Sequence, residues 1–318
     1  MTKNLAVDCK PEILRFTQND NDSFRMGARY RSVLIGLSLK KGKKIGDRAP
    51  DLKEEYGRLL DQVQVNAPYR QLVDQYLDLF LYYGINPEIG FDAVVLETSD
   101  MEAMTEVARL ITEQGRTVTF HGPFMDLAPG GVDERVRKLS AWRLQRTMEL
   151  VPLFRPKSVV FHAGYDDSRY DTHRQEWLSG SLATWEPIIK QAENMDVLIH
   201  LENVYEKTPE MILALIEKIS SERIGFCLDV GHMNAFGDAP LAEWLEALGP
   251  YLREVHLHDN DGQSDMHGPI GSGTAPFEEL FQYLGDKGIR PTVTLEPHEE
   301  PSLWRSLETL LELWPWEH

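Results

Sequence analysis

Cysteine is almost missing from this chain of 318 residues: Cys9 and Cys227 are the two present, and they lie far apart. Two such residues make no disulfide framework of the kind that staples small secreted domains. Long apolar runs are missing as well. No stretch approaches the roughly 18 residues that a membrane-spanning helix needs. The first segment, MTKNLAVDCKPEILRFTQND, carries charges where a signal peptide would have its apolar core, so a cytoplasmic location is the expectation. Basic residues are outnumbered, with 33 Lys and Arg against 51 Asp and Glu, a formal charge of −18. Binding a phosphate backbone draws on a basic surface, so nucleic acid is not the expected partner. A small anionic substrate is not excluded, because a metal can hold it locally. Low-complexity runs are absent too, and 42% apolar with 26% charged residues is the composition of an ordinary globular protein.

What is present is a regular alternation. Residues 1–25 are polar and irregular and read as a tail, leaving 26–318 as one domain. A first strand is predicted at Ser32–Leu39, followed by a long connection from Lys40 to Tyr69 and a helix near Arg70–Tyr83. Further strands are predicted at Asn86–Phe91, Thr117–His121, Ser158–His162, Val197–Glu202, Ile224–Asp229, Glu254–His258 and Thr292–Glu296. The segments between them carry helix signals: Ser99-Asp100 before MEAMTEVARLITEQ with Gly115 after it, Thr208-Pro209 before EMILALIEKI, and Thr274-Ala275-Pro276 before FEELFQYL with Gly285 as its close. Strands such as SVVFHAG and DVLIHLEN are apolar on both faces, as parallel strands covered by helices must be. Eight such strands predict a single-domain α/β fold, a (β/α)8 TIM barrel. A doubly wound open sheet is the alternative; the barrel is preferred because polar residues sit at the C-terminal end of nearly every strand, where barrel active sites gather.

Those polar residues are metal-binding types. They are His121 in TVTFHG, His162 in VVFHAG, Glu202 in LIHLEN, Asp229 and His232 in FCLDVGH, His256 in VHLHD, Asp265 and His267 in SDMH, and Glu296 in TVTLEP. Imidazole nitrogens and carboxylate oxygens are what zinc, manganese or iron take up. Residues two apart on a strand share a face, so His200 points with Glu202, Cys227 with Asp229, His256 with His258, and Glu296 with His298. A lone strand-end histidine is more often a hydrogen-bonded core residue, which is the expectation for His200. His258 and His298 are candidates for contact with substrate. The glycine-rich GPIGSGT segment, Gly268 to Thr274, precedes a helix and could offer free N–H groups to phosphate; a plain glycine turn with a Thr274 cap is the simpler expectation. The basic cluster Lys40–Lys44 is expected as a solvated loop, or as a lid over an anionic substrate. Trp304, Trp314 and Trp316 are expected to clamp the last helix on the barrel, with an oligomer contact as the sharper possibility.

From about the second strand to Glu296 the chain resembles the xylose isomerase-like barrel superfamily, which includes endonuclease IV and many sugar isomerases and epimerases. The ligand core of the isomerases would fall on Glu202, Asp229, His256 and Glu296. The three-metal pattern of endonuclease IV would place His121, His162 and Glu202 at one ion. Glu202, Asp229, His256 and Glu296 would be at a second, and His232, Asp265 and His267 at a third. The resemblance therefore implies one to three divalent ions per chain, zinc or manganese. Two departures stand out. Phe124 occupies the position of an endonuclease IV tyrosine that works at the damaged nucleotide, which makes it a candidate substrate contact, and Ser272 replaces the glutamate of a G-E-G turn. The HGPFMDLAPGG and HLHDNDG segments look more like the small-molecule members. The first expectation is a metal-dependent hydrolase of a small phosphorylated or polar metabolite, with Glu202, Glu296 and His256 at its catalytic centre. The alternative is a sugar or sugar-phosphate isomerase or epimerase using one ion, with Glu202 and Glu296 as acid and base. An inert binding protein on the same scaffold is the third reading.

Overall fold

The computed structural model describes residues 49–316. Eight parallel strands close into a barrel in chain order: β1 Val63–Pro68, β2 Asn86–Gly90, β3 Thr119–His121, β4 Ser158–His162, β5 Leu198–Glu202, β6 Ile224–Asp229, β7 Leu252–Leu257 and β8 Thr292–Leu295. The seam is sealed by β1 against β8, with Val63 beside Val293 and Val65 beside Leu295. Strand residues such as Ile199, Leu201, Phe226, Leu228 and Val255 are buried among the helices, which is why both faces of each strand are shielded from water.

Seven of the predicted strands coincide with β2 to β8. The first does not. The barrel opens with Val63–Pro68, inside the stretch read as a connection, while Ser32–Leu39, the tail 1–25 and Lys40–Lys44 lie outside the described residues. The predicted helix near Arg70–Tyr83 is present as a continuous run from Tyr69, interrupted by a π turn at Leu72–Tyr76.

Capping follows the sequence in part. Asp100 accepts the Glu102 amide N–H at 2.9 Å and starts the helix Met101–Glu113. Thr208 and Thr274 do not cap: Pro209 and Pro276 stand immediately before Glu210–Ile219 and Phe277–Lys287. Gly285 lies inside the second of these helices, which Gly288 closes at φ 63°. The helix Glu210–Ile219 shows how the outer ring packs, burying Met211, Ile212, Leu215 and Ile216 on one face. Trp304 sits edge-on to Tyr83 at 4.8 Å, and Trp314 and Trp316 pack on each other and on Phe281, so the last helix is clamped from within the chain.

The barrel interior is not uniformly apolar. Beneath the strand ends lies a buried polar layer centred on two carboxylates that the sequence reading did not single out. Glu254 on β7 accepts hydrogen bonds from Ser158 Oγ (2.9 Å), His200 Nδ1 (2.7 Å) and Thr294 Oγ1 (2.9 Å). Glu88 on β2 accepts from Asn66 Nδ2 (2.8 Å) and Thr119 Oγ1 (3.3 Å). His200 is thus a hydrogen-bonded core residue, as expected.

Candidate metal centre

Strand closure brings the nine strand-end and loop residues together. His121, His162, Glu202 and Asp229 are the last residues of β3, β4, β5 and β6; His256 is near the end of β7, and Glu296 follows β8 directly. Parallel strands with one hand of crossover put all these ends on the same side of the barrel. Asp229 has a second task. Its Oδ1 accepts the His232 amide N–H at 2.6 Å and caps the helix Val230–Phe236, so the D-x-x-H spacing is a helix start as well as a pair of donors.

Glu202 is the hub. Its Oε2 lies 3.0 Å from His121 Nε2 and 3.5 Å from His162 Nε2. Its Oε1 lies 3.2 Å from His232 Nδ1 and 3.5 Å from His256 Nδ1. The same nitrogen, His256 Nδ1, is also 3.0 Å from Glu296 Oε1 and 4.0 Å from Asp229 Oδ2. Asp265 and His267 arrive from the loop after β7: His232 Nε2 and His267 Nε2 lie 3.4 and 3.2 Å from Asp265 Oδ2. Donor atoms within 4.8 Å of one another form the groups His121–His162–Glu202, Glu202–Asp229–His256, His121–His256–Glu296 and His232–His258–Asp265–His267.

These contacts leave polar atoms without partners. Glu202 Oε1, His256 Nδ1, His258 Nδ1 and Asp265 Oδ1 are buried and make no hydrogen bond. Buried polar atoms in folded proteins are normally paired, and each exception needs a cause. The histidines supply one. His121 Nδ1 is 2.9 Å from the Gly122 carbonyl, His232 Nδ1 3.2 Å from the Asn203 carbonyl, and His267 Nδ1 3.2 Å from the Glu296 carbonyl. A proton on each of those nitrogens donates to a carbonyl and leaves the other nitrogen as a lone pair facing a carboxylate, which is how histidines are held for a metal. The donor set therefore fits one or more divalent cations.

Electrostatics show the same excess of acceptors. Burial opposes a charge on His121, but its hydrogen bond to Glu202 and the charge there, with Glu88 and Glu296 beyond it, outweigh burial and raise it to about 9. Burial likewise opposes a charge on His267, and its hydrogen bond to Asp265 with the charge of Glu296 raises it to about 9. His162 goes the other way: burial lowers it to about 3, against Glu202 and helped by His121 and His232, so its ring is neutral and able to ligate.

The three expected substrate contacts differ in position. Phe124 is 48% exposed at the mouth and stacks on His162 with ring centroids 4.6 Å apart. His298 is exposed and stacks on His267 at 4.1 Å. His258 is 1% exposed and turned inward, its Nε2 3.1 Å from Asp229 Oδ1.

The glycine-rich segment is the plain turn of the simpler expectation, but without the Thr274 cap that went with it. The amide N–H groups of Gly271, Gly273 and Ala275 all donate to the buried carboxylate of Asp259, at 2.8 to 3.1 Å. A Cβ at Gly273 would stand 2.0 Å from the Asn260 carbonyl, which explains the glycine. An internal anion occupies the place a phosphate would take.

Comparison with known proteins places these residues in context. The family described as xylose isomerase-like TIM barrel matches residues 87–313. An uncharacterized protein of Methanocaldococcus jannaschii is 32% identical over 202 residues, 61% of this chain and 69% of its own length. A probable endonuclease 4 of Mycobacterium leprae is 27% identical over 175 residues, 51% of this chain and 66% of its own length. A fructoselysine 3-epimerase of Escherichia coli O157:H7 is 28% identical over 115 residues, 34% of this chain and 42% of its own. The chain thus spans about two thirds of the length of the first two and under half of the third. Among solved structures, a D-tagatose 3-epimerase-like protein superposes with a TM-score of 0.67 at 26% identity, covering 78% of this chain and 96% of that one. A Thermus thermophilus protein soaked with zinc chloride gives 0.65 at 25%, covering 79% and 97%.

Proposed function

The chain belongs to the xylose isomerase-like TIM barrel family, and on that premise we propose that it is a divalent-metal-dependent epimerase or isomerase of a ketose. The observation that carries this reading is the convergence of Glu202 and Glu296 on His256 Nδ1, at 3.5 and 3.0 Å, from strands three apart around the barrel. Similarity to a D-tagatose 3-epimerase-like protein and to a fructoselysine 3-epimerase supports it.

Glu202, Asp229, His256 and Glu296 would hold the cation, zinc or manganese by their mixture of nitrogen and oxygen donors. When bound, it supplies a Lewis acid that polarises substrate oxygens. The chain's own groups do the rest. One of Glu202 and Glu296 takes the proton from the carbon beside the carbonyl, and the other returns a proton on the opposite face, inverting that carbon. His121 and His162 orient hydroxyl groups from strands β3 and β4. Phe124, stacked on His162, gives the mouth an apolar wall, and His298 borders the other side.

The test is proton exchange. The full chain loaded with manganese or zinc is incubated with a panel of ketoses in deuterated water. Deuterium should enter one carbon-bound position of at least one sugar, with formation of its epimer or isomer. Absence of exchange across the whole panel, from protein shown to contain metal, sinks the reading.

A second reading rests on a separate observation. The groups His121–His162–Glu202 and His232–Asp265–His267 are more than a one-ion isomerase uses, and the chain is similar to a probable endonuclease 4. A hydrolase of a small phosphate ester would use them to activate water between ions. Release of phosphate from such esters without carbon-bound exchange separates it from the first reading.

A further inference from the structure

Both ring nitrogens of His256 are buried, and neither makes a hydrogen bond. Nδ1 faces the mouth, toward Glu296, Glu202 and Asp229. Nε2 points the other way, to Glu88 Oε2 at 3.4 Å and Glu254 Oε1 at 3.9 Å. The geometry points to Glu88 as the positioning residue of this ring: its carboxylate holds the proton on Nε2 and so leaves Nδ1 as the nitrogen that ligates. The inference rests on the reading that His256 holds a divalent cation.

The proton decides the ring. A neutral imidazole carries one proton, and a metal takes the nitrogen without it. With the proton on Nδ1, a bare Nε2 lone pair would face two buried carboxylates, acceptor against acceptor. With the proton on Nε2, the N–H faces those carboxylates and Nδ1 is free for the cation. Turning the ring over would put carbon atoms where both nitrogens stand. His121, His232 and His267 are fixed differently, each by a backbone carbonyl against Nδ1. His256 Nε2 faces side chains instead.

Of the two carboxylates, Glu88 is the better placed. Glu254 is the more distant, and its oxygens are already engaged by Thr294 Oγ1 at 2.9 Å, Ser158 Oγ at 2.9 Å and His200 Nδ1 at 2.7 Å. Glu88 Oε2 has Thr119 Oγ1 as its hydrogen-bond partner at a long 3.3 Å. A carboxylate oxygen has room for about two donors, so a position on Oε2 is open to Nε2–H. The Asn66 amide, 2.8 Å from Oε1, anchors the other end of the carboxylate. Cys227 also borders the ring, but burial keeps its thiol protonated, and a thiol is a weak partner.

The contact crosses the barrel interior, because β2 and β7 are three strands apart around the closed sheet. Glu88 and His256 are both fully shielded from solvent. Bulk water therefore cannot stand in for the carboxylate, and the low local dielectric strengthens its hold on the N–H. An outer carboxylate of this kind fixes the tautomer and makes the ligating nitrogen more basic.

The test uses the full chain with isotope-labelled histidine, stripped of metal and reloaded with zinc. Nitrogen NMR, with His256 assigned through its side-chain carbons, should find the proton on Nε2 and zinc on Nδ1. Glu88→Gln keeps the shape, but its amide can turn either an oxygen or an NH2 group to the ring. Zinc affinity in that variant should fall by about 10–100-fold. Thr119→Val removes the other donor to the same oxygen without touching His256, and should leave zinc affinity unaltered. A proton on Nδ1 in the loaded wild type overturns the proposal. So does an unaltered affinity in Glu88→Gln, and so does an equal loss in both variants, which would make Glu88 a packing group alone. Zinc bound with His256 unligated, or no uptake of zinc, overturns instead the reading of His256 as a ligand. The wild-type spectrum decides the position of the proton even if Glu88→Gln does not fold.

Discussion

Two layers of the same barrel are built from the same side chains and end in opposite conditions. In the lower layer Glu254 receives three hydrogen bonds, from β4, β5 and β8 across the barrel interior, and Glu88 receives two, from its neighbours β1 and β3. At the mouth, one step along the strands, Glu202 and Asp265 each keep an oxygen without a partner, and His256 and His258 keep nitrogens bare. Burial is comparable in both: Glu254 and Glu202 are both fully shielded. The difference lies in who completes the hydrogen-bonding inventory. Hydroxyls of Ser158, Thr119 and Thr294 do so below, and among the described residues no hydroxyl reaches these bare atoms at the mouth. The carboxylates of the lower layer are paired within the protein, with His200 Nε2 its one bare histidine nitrogen, whereas the mouth leaves carboxylate oxygens themselves unpaired, as a layer built for a guest does.

The largest expected effect tests the lower layer. Glu254→Ala strands three buried donors and should lower unfolding free energy by about 3–5 kcal/mol, read as a shift of the denaturant midpoint. A loss below about 1 kcal/mol would mean that this layer does not hold the barrel together.

Next comes the hub of the mouth. Glu202→Gln keeps the shape and removes the charge that offsets cations. Turnover should fall by about a hundredfold or more, equivalent to about 2.7 kcal/mol, and metal content should drop while circular dichroism stays unchanged. A chelator should lower the melting temperature of the wild type, because a ligand at a hundred times its Kd contributes about 2.7 kcal/mol, and should barely move that of Glu202→Gln. Equal chelator sensitivity in the two proteins would break the contrast between layers.

A smaller effect should follow His200→Gln. Glutamine can still donate to Glu254, so metal content should stay close to wild type and stability should fall by about 1 kcal/mol. Metal loss matching that of Glu202→Gln would show that the two layers act as one. The smallest effect belongs to Phe124→Ala, which removes a half-exposed ring worth about 0.5–1.5 kcal/mol of stacking. KM should rise by about tenfold at most with metal content unaltered, as checked by steady-state kinetics beside metal analysis.

The same contrast explains what could be read from the sequence. Strands β3 to β8 were legible because apolar runs end in a histidine or a carboxylate, and six of the nine mouth residues stand where those runs stop. β1 was not legible. VQVNAP points Gln64 and Asn66 toward polar partners, Thr117 and Glu88, so it lacks the apolar signature that Ser32–Leu39 displays. Glu88 and Glu254 escaped for a related reason: they sit within strands, where a charged residue usually argues against burial. Period two was the available signal, since Glu254, His256 and His258 alternate along β7 and beyond it. Capping by Thr208 and Thr274 misled because each is followed by a proline nearer the helix, and proline needs no side-chain acceptor there. No local pattern assigns Asp259, whose partners lie 12 to 16 residues downstream.

That aspartate bears on how a cation comes and goes. The loop carrying Asp265 and His267 is pinned at both ends by Asp259: its backbone pairs with Gly268, and its carboxylate collects the amides of Gly271, Gly273 and Ala275. Ordering a residue costs about 1–2 kcal/mol of entropy, and here that ordering is complete when the chain folds. The donors are therefore waiting in place before any ion arrives. Zinc-finger domains, by contrast, collapse when their ion leaves. Loading and unloading at this mouth should be a solvent exchange within a standing frame, reversible without refolding, with an entropy of binding dominated by released water.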